Sequence, residues 1–463
     1  MVSSKKPPRH NLVSSKKFSI LGHLKLFLRD LFLKQKRINP SILIAYSGGL
    51  DSSVLLHALY QLQTEIPMHL RVMHVNHGLS EHADSWVSFC KKICADLSLP
   101  LNVHQVQVDQ NSGLGTEAAA RNVRYHALES ASADFICLGH HQDDQAETLL
   151  LQLARGSGVK GLAGMAEVNA ECKLLRPFLN VRYAELVAYA TQHQLRWIED
   201  ESNKDVAFDR NFMRHEIVPA LRKRYPNITK TLARSALHMA DASEIMNDLA
   251  MLDSELVLDK GHQYGALRLG ALNVLSKARQ RSLIRWWLAS NQVSMPSAAL
   301  SQQILQQFQS PRTDTAIKIK VADNLFIRRF RGLGYLVHET VSPTPINLRW
   351  QDEAVIVLPD RSRLFFVKKI GEGFAYQRGG NDIQLRVKYR EGGERFKPTI
   401  GRPRRGLKYI LQSVDMPPWQ RELLPLIFMD ETLVMIPNVA VDADMKASSD
   451  EMGLRVSWQP ATI

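Results

Sequence analysis

The stretch that most constrains this chain runs from Ser41-Ile-Leu-Ile-Ala-Tyr46 through Ser47-Gly-Gly-Leu-Asp-Ser52 into Ser53-Val-Leu-Leu-His-Ala-Leu59. Ile42, Leu43, Ile44 and Ala45 form a short apolar run suited to a fully buried parallel strand. Gly48 and Gly49 allow backbone angles that a side chain forbids, and Ser52 is expected to cap the helix that follows. Two glycines before a helix start leave backbone N–H groups converging beside the positive end of a helix dipole. That arrangement binds anions, phosphate foremost. A plain turn would use the glycines but has no need of Asp51, whereas a Mg²⁺-nucleotide does. The spacing is neither G-x-x-x-x-G-K-S/T nor G-x-G-x-x-G. Ser47, Gly48, Gly49, Leu50, Asp51 and Ser52 are therefore expected to hold the phosphates of a nucleotide, with Asp51 on the Mg²⁺ side.

From residue 41 to about 220 the pattern alternates strand and helix. Strands are expected at Met68–Val75, Leu101–Val108 and Asp134–Gly139. Helices are expected at His82–Leu97, from Thr116 to about Ala131, and at Gln142–Ala154. Such βα repetition implies a parallel, doubly wound sheet, with ligands at the carboxyl ends of its strands. Ser47, the His74–Gly78 segment and the Gly139–Asp144 segment all fall at such ends. Pro219 and Tyr225-Pro-Asn227 mark a boundary. The fold class expected is α/β, with a mainly helical middle domain at 228–345 and a small α+β C-terminal domain at 383–463. The sheet domain is expected at 41–222. Residues 1–40 form a basic extension, with ten Lys and Arg against Asp30 alone. Within it Phe18–Leu33 reads as an amphipathic helix lying against the catalytic domain or RNA.

The chain has 463 residues and a net charge of +13, which suits a polyanionic partner. Its four cysteines, Cys90, Cys94, Cys137 and Cys172, include no C-x-x-C pair. They read as buried small residues in a reducing cytoplasm. No apolar run is long enough to span a bilayer.

Gly139-His-His-Gln-Asp-Asp-Gln-Ala-Glu147 runs from a strand end into a helix. Capping by Asp143 or Asp144 accounts for one of its polar groups. Asp144 and Glu147 are three apart and share a helix face; the pair suits an ammonium group or Mg²⁺, or can accept a proton. Arg121 and Arg124 also share a face, either solvated or neutralising a transferring group. Near the C-terminus, Lys388, Arg390, Arg395, Lys397, Arg402, Arg404, Arg405 and Lys408 are expected to face only Glu391 and Glu394. Four glycines, Gly392, Gly393, Gly401 and Gly406, let this basic loop approach a phosphate backbone.

The S-G-G-L-D-S loop resembles that of the ATP-pyrophosphatases, which split ATP between the α- and β-phosphates. Further motifs are similar to the tRNA(Ile)-lysidine synthetase family: H-V-N-H-G-L at 74–79, E-A-A-A-R-N-V-R-Y at 117–125, G-H-H-Q-D-D-Q-A-E-T at 139–148, R-G-S-G-V-K-G-L at 155–162, R-P-F-L at 176–179, and D-E-S-N with R-N-F-M-R between 200 and 214. The likeness resumes at Arg390–Arg395 and Pro417–Ile427. It implies ATP with Mg²⁺ and L-lysine as small ligands, and an isoleucine tRNA with a CAU anticodon as partner. It implies that Asp144 and Glu147 hold lysine and take its proton, with Arg121 and Arg124 beside them. Arg210, Arg214, Arg390, Arg395, Arg402, Arg404 and Arg405 become candidate tRNA contacts. A thiolase of the same superfamily would need reactive cysteines, and a small-molecule amidating ligase would leave the basic C-terminal module unused.

Overall fold

The computed structural model describes residues 18–460, apart from 79–80, 108–115, 170–172, 263, 311–316, 340–343, 377–383 and 415. Cys172 and the ends of several motifs lie outside the described residues. The chain divides into two compact units at Met246/Asn247.

The first unit is built on β1 (Ser41–Ala45), β2 (His69–Asn76), β3 (Leu101–Gln105), β4 (Phe135–Cys137), β5 (Val168–Asn169) and β6 (Leu174–Leu175). Their order is β3-β2-β1-β4-β6-β5, parallel throughout except for the antiparallel edge strand β5. Because side chains alternate across a strand, β1 feeds two cores. Ile42 and Ile44 join Val72, Phe135, Cys137 and Leu175 in one core. Leu43 joins Met73, Ile136 and Leu174 in the other, under Leu128. Helices α1 (Ile20–Lys34), α2 (Leu50–Leu62), α3 (Ala83–Asp96) and α7 (Tyr183–Gln192) cover the first face, and α4 (Thr116–Glu129) the second. Strand order reverses direction between β1 and β4, the crevice where doubly wound sheets take ligands.

Helix α1 starts at Ser19, whose hydroxyl accepts the Gly22 N–H at 3.2 Å. Its apolar residues recur at helical spacing, so Ile20, Leu24, Leu28, Leu31 and Phe32 sink into the core shared with β1. The helix packs on α2 and α7. Of the ten basic residues of the expected extension, Lys25, Arg29 and Lys34 lie on this helix and none of the three is buried, while Lys5, Lys6, Arg9, Lys16 and Lys17 lie outside the described residues.

Helix α5 (Gln142–Ala154) begins where the sequence puts it, followed by the single turn α6 (Val159–Leu162). The polar motif at 200–214 leads into α8, a continuous helix over residues 209–224. Its stretch Met213–Ile217 is wound as a π-helix between two α-helical segments. Pro219 lacks an N–H and crowds the carbonyl four residues back, which explains the widened turn.

The second unit holds two layers of structure. The helices Leu269–Val274, Lys277–Ser290 and Ala298–Gln309 pack on an antiparallel sheet. That sheet runs Leu258–Asp259, Ala266–Arg268, Leu333–His338, Leu325–Phe330, Lys318–Ala322. Leu333–His338 is a strand that the sequence reading passed over, joined to Leu325–Phe330 by a tight turn at Arg331 and Gly332. The C-terminal part is antiparallel, with Leu385–Tyr389, Pro425–Met429 and Thr432–Ile436 central in one sheet. No helix among the described residues is long and apolar enough to cross a membrane.

Candidate active site

The glycine loop leaves β1 and enters α2 as expected, but its serines act differently. Gly49 is the N-cap residue and has no side chain to offer. Ser52 lies inside the helix as its third residue, so it is not the cap. Its hydroxyl donates back to Gly49 O at 3.0 Å and accepts from Ser47 N at 3.3 Å. Ser47 Oγ lies 3.0 Å from it and accepts the Gly49 N–H at 3.3 Å. The two hydroxyls thus hold the loop in shape from within. Gly48 has φ 87°, and a Cβ there would come within 2.7 Å of Ile198 Cδ1. Its carbonyl accepts the Ile198 N–H at 2.9 Å. Leu50 faces the core.

Asp51 is in the first turn of α2. Its Oδ1 is buried and has no hydrogen-bond partner. Burial pushes its carboxyl up to about 6, with His141 opposing the shift. A carboxylate oxygen left open beside a phosphate loop fits a divalent cation, since Mg²⁺ takes one or two protein carboxylates and completes its shell with substrate phosphates and water. Among the described residues no group of three or more His, Cys, Asp and Glu side chains is placed to hold a metal ion.

Strand β4 delivers the second motif to the same place. A Cβ on Gly139 would stand 3.0 Å from the Asp51 carbonyl, so the chain passes directly against the start of α2. His141, not Asp143 or Asp144, caps α5: its Nδ1 accepts the Asp143 N–H at 3.2 Å. Asp144 completes the box by accepting the His141 N–H at 2.8 Å. With Nδ1 accepting, the proton of neutral His141 belongs on Nε2. That atom lies 3.7 Å from Asp51 Oδ2 and 3.5 Å from Asp144 Oδ2. One imidazole therefore stands between the loop acid and the helix acid.

Asp144 and Glu147 are buried together, as their spacing requires, but they are already paired. Arg210 donates through Nε to Glu147 at 3.0 Å and through Nη2 to Asp144 at 2.8 Å. Arg214 donates through Nε to Glu147 at 2.7 Å and through Nη2 to Asp144 at 2.9 Å and Glu147 at 3.0 Å. Burial opposes ionisation of Asp144, yet the neighbouring His141, Arg210, His140 and Arg214 outweigh it and hold the carboxyl well below the usual carboxylate range. Such a group holds positive charge but is a poor proton acceptor. Arg210 and Arg214, the candidate tRNA contacts, have their guanidinium groups on the carboxylate pair.

Arg121 and Arg124 flank Tyr125, with their guanidinium carbons 5.1 and 5.8 Å from its ring centre. Arg124 Nε is buried without a partner, and burial together with Arg121 and Arg210 lowers its proton affinity. Sequence reasoning placed His77 and His140 in motifs at strand ends but gave neither a role. Each has a buried Nδ1 with no hydrogen-bond partner, and burial lowers the proton affinity of both, that of His140 strongly. It also missed Arg176, a buried cation from the R-P-F-L motif that bonds Ala166 O at 2.7 Å. A histidine inside a motif at a strand end was the available signal.

In the second unit the basic loop has more partners than Glu391 and Glu394. Arg390 does meet Glu394, at 3.5 Å. But Arg404 pairs at 3.1 Å with fully buried Asp442, and Lys397 at 2.7 Å with Asp444. Arg395 donates to Arg404 O at 3.1 Å. Arg402 and Arg405 are exposed and carry no ion pair among the described residues.

Three family descriptions match the chain: PP-loop domain over residues 24–221, TilS substrate binding domain over 267–333, and TilS substrate C-terminal domain over 385–458. The tRNA(Ile)-lysidine synthase of Nitrosomonas europaea is 37% identical over 436 residues, 93% of this chain and 94% of that one. That of Serratia proteamaculans is 38% identical, covering 92% of this chain and 97% of its own. That of Xanthomonas axonopodis pv. citri is 38% identical over 91% and 94%. Likeness of this depth, shared by the phosphate-loop unit and the C-terminal sheets alike, makes the chain a member of the tRNA(Ile)-lysidine synthase family and an ATP-using ligase.

Proposed function

We propose that this chain joins L-lysine to C2 of the wobble cytidine in an isoleucine tRNA with a CAU anticodon. The cytosine O2 attacks the α-phosphorus of ATP, and pyrophosphate leaves. The ε-amine of lysine then attacks C2, and AMP departs with the former O2. The observation that carries this reading is the meeting of two half-sites at one sheet edge. The loop 47–52 and the Asp144–Glu147 pair stand on either side of His141.

The roles divide by chemistry. Backbone N–H groups at the start of α2 receive the pyrophosphate portion of ATP. Asp51 would hold Mg²⁺, which when bound supplies positive charge against the phosphates. Arg121 and Arg124 face the transferring adenylyl group. Asp144 and Glu147 hold the lysine ammonium. The amine must lose a proton before attacking. Asp144 is held too acidic to take it, and the burial that leaves His140 Nδ1 without a partner also makes that imidazole a weak base, so neither is assigned the proton. The division of labour assigns 41–222 to adenylation, 228–345 to the middle domain and 383–463 to tRNA contact, with Arg402 and Arg405 on phosphates.

The test is incorporation of labelled lysine into a CAU-anticodon isoleucine tRNA, with nucleoside analysis of the product. Lysidine should form, with release of AMP and pyrophosphate that requires the tRNA. Pyrophosphate release without tRNA, or sulfur in the nucleoside, would overturn the proposal.

A further inference from the structure

The carboxylate pair proposed for lysine is full. Glu147 Oε1 accepts from Arg214, Glu147 Oε2 from both arginines, Asp144 Oδ1 from both, and Asp144 Oδ2 from the His141 N–H. Two negative charges meet two positive ones. Adding an ammonium group would leave one excess buried cation, which low-dielectric surroundings penalise heavily.

The element carrying these arginines is weakly seated. Residues 209–217 of α8 contribute no buried side chain, and Phe212 is exposed. The helix runs antiparallel to α5 and is pinned to it by charge. Arg155 meets Asp209 at 3.0 Å at one end, and Arg222 meets Asp143 at 3.0 Å at the other. His215 adds an exposed bond to Asn203 O at 2.7 Å. Exposed ion pairs of this kind contribute little each, and a segment with few buried apolar contacts opens more readily than the core. Of the two central arginines, Arg214 is the more exposed, at 35% against 18%. It is also the one inside the π-helical turn.

We infer that α8 is a cationic latch: Arg210 and Arg214 fill the Asp144–Glu147 pair until an incoming lysine ammonium displaces Arg214 and frees the π-helical turn that carries it, residues 213–217, while Arg210 holds. This rests on the reading of that pair as the lysine site. Release of Arg214 frees Glu147 Oε1 and leaves Arg210 in place, so the exchange is one cation for one cation. Lysine binding and opening of α8 are then linked, and a ligand shifts that balance only by binding the open form better.

The experiment measures equilibrium binding of labelled lysine to the full chain, with amide hydrogen exchange over residues 209–217. Arg214→Gln should bind lysine about fivefold more tightly than the parent, because the resident competitor is gone. Arg214→Lys, which keeps charge but loses the two-pronged geometry, should fall between. In the parent, saturating lysine should speed exchange in 213–217; in Arg214→Gln that turn should exchange fast without lysine. Weaker lysine binding by Arg214→Gln, or exchange that slows or stays constant with lysine, would overturn the latch and make Arg214 part of the lysine pocket. Glu147→Gln separates the two levels. If it leaves lysine binding unchanged, the pair is not the lysine site, and the underlying reading fails with the latch. If it abolishes binding while Arg214→Gln weakens it, only the latch fails.

Discussion

At the scale of single residues, two acids a few ångströms from one imidazole have opposite characters. Asp51 is raised to about 6 by burial; its unfolded counterpart titrates near the ordinary value of 3.8. Between those values the native form holds the proton more tightly, so its contribution to stability falls as pH rises through that window and stays low above it. Asp51→Asn should therefore raise the melting temperature at pH 7.5 by about 2 °C, trimmed by the partial exposure of the side chain, and change it little at pH 4. The same variant should lose adenylation while keeping tRNA affinity. A melting temperature that drops at pH 7.5 would show that Asp51 is structurally required. Asp144 is depressed instead, so its stabilisation is present above the ordinary carboxylate value and lost as pH falls below it. Asp144→Asn should destabilise at neutral pH and have less effect in acid. The acids themselves were legible, because a loop acid and a same-face pair are patterns in the sequence. That Asp144 is too acidic to take a proton was not, because its partners Arg210 and Arg214 come from 66 and 70 residues away.

At the scale of elements, the βα alternation gave the sheet, its parallel sense and α5 at its observed ends. The caps were misplaced by two or three residues because serine and aspartate are generic capping signals. Nothing local reveals that Ser52 turns inward or that a histidine takes the cap of α5. Helix α1 shows the same limit. Its amphipathic spacing was plain, but spacing does not say which core receives the apolar face. Leu28 is fully buried, whereas Leu26 on the same helix is 72% exposed. Leu28→Ala should cost about 2–5 kcal/mol in denaturant unfolding, and Leu26→Ala about 0.5 kcal/mol or less. Equal effects would mean that α1 is not part of the phosphate-loop core.

At the scale of the whole molecule, formal charge overstates what is available to a polyanion. Sequence proximity offered the basic loop only Glu391 and Glu394; the fold adds Asp442 and Asp444 from about forty residues further on. Arg404 is therefore committed to a buried carboxylate, whereas Arg402 and Arg405 are exposed. Replacing Arg402 and Arg405 with Ala should weaken tRNA binding and reduce its salt slope by about 1 for each lost phosphate contact. Arg404→Ala should instead lower stability by about 3 kcal/mol, since it leaves Asp442 buried and unpaired. Filter binding across a salt series and thermal melts of both variants distinguish the two fates; an unchanged salt slope in the double variant would remove this loop from the RNA surface.

The π-helical turn at Met213–Ile217 makes α8 tolerant of a loss at one point and nowhere else. Such a turn holds one residue more than an α-helical turn of the same span. Losing one residue between Met213 and Ile217 would restore α-geometry there and leave the residues beyond it on the faces they now occupy. Arg210, upstream, and Arg222, downstream, would both keep their carboxylates. The same loss elsewhere in the helix would rotate everything beyond it by about 100° and swing Arg222 away from Asp143. Relatives that lack one residue in α8 should therefore align with their gap inside this turn and retain the 143–222 ion pair.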